Sequence, residues 1–150
     1  MHRRLHPIAF GLLLLVLSPL AAAAQSSTSP YKLAVHVDDA SPATINLALN
    51  NVQNVLAEFA KRGERIDIEV VAIGPGLHML RDDTSPVKAR IAALALENPG
   101  LTFTACGNTQ ANQSKAEGKP VTLIGEAKVQ PSGAVRLIEL QRQGYAYLKP

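Results

Sequence analysis

The sequence predicts an α/β fold, a three-layer sandwich around a mostly parallel sheet of about five strands. Three observations carry this. Short runs rich in β-branched and aromatic residues recur along the chain, as in YKLAVHV, IDIEVVAI and LTFTAC. The segments between them place apolar residues at helical rather than alternating spacing. Clusters of glycine, proline and aspartate separate the two kinds of segment. Strands alternating with helices at this pitch form βαβ units, whose strands lie parallel.

The elements follow in order. YKLAVHV, residues 31–37, is the first strand, and DDASP stops it. Over 43–62 the apolar residues Ile45, Ala48, Leu49, Val52, Val55, Leu56, Phe59 and Ala60 form one core-facing helical stripe. Gly63 stands where a C-terminal cap belongs. Residues 66–73 are β-branched and nearly continuous, which suits a strand buried on both faces. Gly74-Pro75-Gly76 then turns the chain hard. A second helix is expected over 86–97, stopped by NPG, and a third strand over 101–106. NTQANQSKAEGK is polar and weakly helical. A short strand lies within EAKVQ, and Pro131-Ser132-Gly133 follows it. AVRLIELQRQG is a helix with Val135, Leu137, Ile138 and Leu140 as its apolar positions, and YAYLK is the last strand. With right-handed crossovers the pattern favours a flavodoxin-like doubly wound sheet of order 2-1-3-4-5, with a crevice where strands 1 and 3 part.

Upstream, the chain reads as an export signal. MHRRLHPIAFGLLLLVLSPLAAAAQ has a basic head at Arg3 and Arg4, an apolar run from Ile8 to Leu20, and small residues before Gln25. The apolar run is shorter than the ~20 residues of a membrane-spanning helix. The expected organisation is a signal peptide over 1–24, a polar lead-in over 25–30 and one domain over 31–150. The mature protein is then periplasmic or secreted, and free of the membrane after cleavage. Losing the two arginines takes the formal charge from +3 to +1. With no Lys/Arg block and few aromatic residues, nucleic-acid binding finds no support.

Cys106 is the only cysteine, so no intrachain disulfide can form and the fold must stand on its core. In an oxidising compartment such a thiol is buried and inert, paired between chains, or used. Its position makes it the best single candidate for use. In doubly wound sheets ligands bind at the carboxyl ends of the strands. Those ends bring His36, Asp38 and Asp39, then Gly74, Gly76 and His78, then Cys106, Gly107, Asn108 and Thr109 toward one rim. Gly107 lets the backbone turn, and Asn108 or Thr109 can cap a following helix. A thiol at a helix N-terminus meets the positive end of the dipole, which favours thiolate. The competing reading is a packed core cysteine.

The remaining candidates also have two readings. His36 and His78 are hydrogen-bonded structural residues, or one of them handles a proton beside the thiol. Asp38 and Asp39 are an acid–base pair, or a turn that caps the first helix. A metal site from Cys106, His36, His78 and Asp38 has suitable residue types but no closely spaced ligand pair, so no metal is expected. The glycines at 74 and 76 belong to no phosphate-loop motif, and no organic cofactor is expected. Asn46, Asn50 and Asn54 form a polar row on the first helix, a wet surface or a subunit contact.

LALNNVQNVLAEF, IEVVAIGPGLHMLRDD, FTACGNTQ and VQPSGAVRLIELQRQGYAYLKP together resemble the DsrE/DsrF-like family, specifically an exported branch of it. The resemblance covers nearly the whole chain after residue 30. It implies a flavodoxin-like fold and homo-oligomers, trimers or hexamers. Sulfur-relay members carry sulfur as a persulfide on a cysteine in the loop after a central strand, and Cys106 matches that place. Those members work in the cytoplasm with partner subunits, and ACGNT differs from their flanking residues. The function expected is therefore a sulfur carrier or transferase acting through Cys106, with sulfur donor and acceptor proteins as partners. The alternative is a non-catalytic oligomeric module that binds a small ligand or metal at the rim. A third reading makes Cys106 a redox-sensing thiol that bridges two chains.

Overall fold

The computed structural model describes residues 31–150, so the signal peptide and the lead-in expected over 1–30 lie outside the described residues. The elements are β1 (Tyr31–Val37), α1 (Pro42–Lys61), β2 (Ile66–Ala72), a 3-10 helix (Gly74–Leu80), α2 (Lys88–Glu97), β3 (Leu101–Cys106), α3 (Gly107–Glu117), β4 (Ala127–Gln130), α4 (Gly133–Arg142) and β5 (Ala146–Leu148). Ser41 starts α1 by accepting from the Thr44 N–H at 3.2 Å, and Gly63 follows it at φ +67°. No described helix is long and apolar enough to cross a membrane.

The five strands pair parallel in the order β4-β3-β2-β1-β5. The α/β class, parallel pairing and strand number are as the sequence predicts, and the order is consistent with a flavodoxin-like sandwich. The order itself differs from 2-1-3-4-5. β2 lies inside the sheet, between β1 and β3, and the winding reverses after β4 rather than after β2. The physical reason is burial. β2 is buried on both faces from Ile68 to Ala72, and an edge position would expose that surface. β4 and β5 are short and largely exposed, as edge strands are.

This winding divides the molecule unequally. Successive right-handed steps from β1 to β4 send α1, α2 and α3 to one face, and only α4 crosses back over the other. The main core lies on the first face. There Ile45, Leu49 and Val52 of α1 and Ile91 of α2 pack on Val35, Val37, Val70 and Phe103 of the sheet. On the second face Leu137 and Leu140 of α4 meet Ala34 and Val71.

Two elements exceed what their sequences predict. Gly74-Pro75-Gly76 does more than turn, because it opens a 3-10 helix that buries Leu77, Met79 and Leu80. The polar segment after Cys106 is a full helix with no buried residue. Side-chain hydrogen bonds hold it instead of apolar packing. Gln110 Nε2 donates to the Val121 carbonyl at 2.8 Å, and Gln113 Nε2 donates to the Gly74 carbonyl at 3.2 Å. At its far end Glu117 pairs with the buried Arg81, which also holds Asp83.

Candidate functional site

Cys106 ends β3 and is the N-cap of α3, with extended φ and ψ of −72° and 112°. The residue is 4% exposed. It continues the strand face of Thr102 and Thr104, the face that α4 covers. Gly133, the first residue of α4, stands directly against it. A Cβ on Gly133 would lie 3.1 Å from the Cys106 Cβ and 2.6 Å from the Ile73 Cγ1. Two helix N-termini therefore converge on one sulfur.

The electrostatics follow from that placement. Burial pushes the thiol up, but the Thr109 hydroxyl and the backbone N–H groups of Gly133, Thr109 and Asn108 outweigh it, and the thiol sits below its ordinary value. The sulfur makes no capping hydrogen bond of regular geometry, so these groups act on it as oriented dipoles. The Asn108 N–H is largely spent on the Pro131 carbonyl at 3.1 Å. Thr109 Oγ1 accepts from the Gly74 N–H at 3.0 Å, which leaves its own proton free for the sulfur. Chemically this is a buried, anion-favouring seat for one thiolate.

Residues 23–150 match the model of the DsrE/DsrF-like family. The chain belongs to the DsrE/DsrF-like family. A solved structure of a protein of unknown function, MTH1491 from Methanobacterium thermoautotrophicum, superposes with a TM-score of 0.68 at 30% sequence identity. The match covers 80% of this chain and 99% of that one. No curated protein matches.

In this DsrE/DsrF-like chain the rim residues fall into two groups. Gly74, Gly107, Asn108 and Thr109 surround or support Cys106, and a Cβ on Gly107 would come within 3.2 Å of the Gln130 carbonyl at the end of β4. Gly76 presses instead on the end of β1. His36 belongs to the β1–β5 side, where its Nδ1 lies 2.8 Å from the Tyr147 hydroxyl and its Nε2 is buried without a partner. Burial lowers its pKa, the nearby Asp38 opposes that, and Lys149 adds to it. With β2 between β1 and β3, roughly 10 Å of sheet separates His36 from the strand of Cys106.

His78 is half-buried in the last turn of the 3-10 helix. Among the described residues, no hydrogen bond joins either histidine to Cys106. Asp38 pairs with Lys149 at 2.6 Å, and Asp39 accepts from the Ser41 N–H at 2.6 Å. The two aspartates thus serve separate contacts, and Asp39 shapes the turn that caps α1. Asn46 and Asn50 accept from Arg90 of α2, so part of the polar row on α1 is an internal contact. No group of three or more His, Cys, Asp or Glu side chains converges among the described residues.

Sequence reasoning missed the contribution of α4. Ser132 caps this helix by accepting from the Val135 N–H at 3.4 Å. The Pro-Ser-Gly triplet is a readable start signal, but nothing local says that the helix begins against a cysteine.

Proposed function

We propose that this is an exported, periplasmic or secreted DsrE/DsrF-like sulfur carrier, in which Cys106 holds sulfane sulfur as a persulfide. One observation carries the reading: the chain's single cysteine occupies the point where the N-termini of α3 and α4 meet. In the loading step the Cys106 thiolate attacks the outer sulfur of a donor persulfide, R–S–SH. The donor S–S bond breaks, R–S⁻ leaves, and Cys106–S–SH forms. In the unloading step an acceptor thiolate attacks the outer sulfur and returns Cys106 as thiolate. No outside oxidant or reductant is consumed. The dipoles that favour the thiolate lower the cost of both its formation and its departure. Thr109, rather than a histidine, is the polar side chain placed to hold a proton at the sulfur.

The test is the intact mass of the mature protein before and after treatment with inorganic polysulfide. The expected result is a gain of one sulfur mass that reductant reverses. No gain, with a thiol that labels only after denaturation, overturns the reading in favour of a packed cysteine.

A homo-oligomer, trimer or hexamer, belongs to the same proposal. Val135, Ile138 and Tyr147 are each about half exposed on the α4 side of the sheet, where one helix does the covering. Light scattering on the purified mature protein should give a multiple of the chain mass. A monomer at micromolar concentration removes this part.

A further inference from the structure

We infer that Glu69 is a positioning residue of the Cys106 site, acting through Arg136 to hold the first turn of α4 against the sulfur. The inference rests on the reading of Cys106 as a working thiolate. Glu69 lies in the middle of β2 at 5% exposure, the buried one of the strand's two acids, since Asp67 is only partly covered. Thr104 Oγ1 donates to its Oε1 at 2.7 Å. Arg136 grips it with both arms, Nε to Oε1 at 2.8 Å and Nη2 to Oε2 at 2.6 Å. Thr104 precedes Cys106 by two residues on the same strand face, and Arg136 follows Gly133 by nearly one helical turn. The carboxylate therefore ties β3 to α4 one step below the contact between Cys106 and Gly133.

That contact needs such a tie. α4 buries Leu137 and Leu140 while Val135 and Ile138 face outward, so apolar packing alone constrains its rotation and slide weakly. Gly133, however, has no slack against Ile73 and Cys106. The favourable effect of a helix N-terminus fades within its first turn, so a small displacement of α4 uncouples it from the sulfur. Buried ion pairs add little stability over apolar packing, and their best-attested use is to select one register. A bidentate Arg–carboxylate pair has the geometric specificity for it. The charged and titratable groups around Glu69 are Arg136, Glu139 at 3.7 Å from Arg136, Tyr145, and beyond them Asp67 and the Lys32 that lies over the Tyr145 ring. The groups acting on the sulfur itself are the Thr109 hydroxyl and backbone N–H groups.

The experiment titrates the thiolate by its ultraviolet absorbance in the mature protein, with Cys106→Ser as the blank that subtracts the ionisation of the three tyrosines. Wild type is compared with Glu69→Gln, Arg136→Lys and Thr109→Val. Thr109→Val removes one dipole without touching the ion pair and sets the scale of an upward shift. Glu69→Gln should move the midpoint up toward that of the unfolded chain and cut the thiolate fraction at neutral pH severalfold. Arg136→Lys keeps the charge, loses the fork, and should shift the midpoint by less. A folded Glu69→Gln protein with an unchanged midpoint overturns the inference. If Glu69→Gln does not fold, Arg136→Lys decides, and an unchanged midpoint there overturns it equally. The titration uses no sulfur donor, so its outcome does not depend on whether the wild type loads sulfur.

Discussion

Replacing Cys106 by serine should abolish sulfur loading and leave the fold in place. The loss is complete because no second cysteine can take over. A hydroxyl ionises far above neutral pH and does not attack sulfane sulfur as a thiolate does. The fold survives because the replaced atom sits at a helix N-cap, where serine is among the favoured residues and its oxygen can accept from the first-turn N–H groups. The side chain is buried, but it keeps these donors, so the stability change should stay within about 1 kcal/mol. The variant should also differ from wild type in its pH dependence. A thiol held below its ordinary value adds stability at pH above the unfolded-state value, and that contribution disappears as pH falls through the folded-state value. The gap in unfolding temperature between wild type and Cys106→Ser should therefore move in favour of wild type as pH rises through this window. Sulfur uptake by a folded serine variant would place the sulfur elsewhere and end the mechanism.

The same residue shows how far the sequence reaches. Its position at the mouth of a strand is legible because LTFTAC is β-branched and Gly107 breaks it, and both are local signals. Strand β1 and the buried stripe Ile45, Ala48, Leu49 and Val52 are legible for the same reason. The arrival of Gly133 at the sulfur is not, since it depends on how α4 crosses the sheet on its way to β5. Strand order turns on a single clue. The apolar run of β2 argues for an interior strand, whereas the three-residue β5 carries no local sign of its neighbour. Glu69 is visible as one of two acids within IDIEVVAI, but neither its burial nor its partner in the fourth helix can be read there. His36 is placed by its sequence at the correct end of β1, yet the sheet sets it beside Tyr147 and Lys149 rather than beside the thiol.

Gly76→Ala should be the most destabilising of the small substitutions at the rim. The added Cβ would lie 2.2 Å from the Val37 carbonyl oxygen, 2.5 Å from its carbon and 2.8 Å from the Asp38 nitrogen. All three are backbone atoms, so no side chain can rotate away. Val37 is fully buried, and its carbonyl accepts from the Ile73 N–H at 2.9 Å. Retreat of β1 would strain that bond, and retreat of the 3-10 helix would disturb Leu77, Met79 and Leu80, all fully buried. Overpacking with no room to relax costs about 3 kcal/mol, which for a domain of this size lowers the unfolding temperature by roughly 10 °C. Gly74→Ala provides the comparison two residues away. Gly74 has a φ of +53° but open space around its Cβ position, so its cost is conformational, about 1 kcal/mol. Thermal denaturation of the two variants separates steric contact from backbone preference. Equal losses, or a larger loss for Gly74→Ala, would mean that the 3-10 helix does not bear on the end of β1 as described.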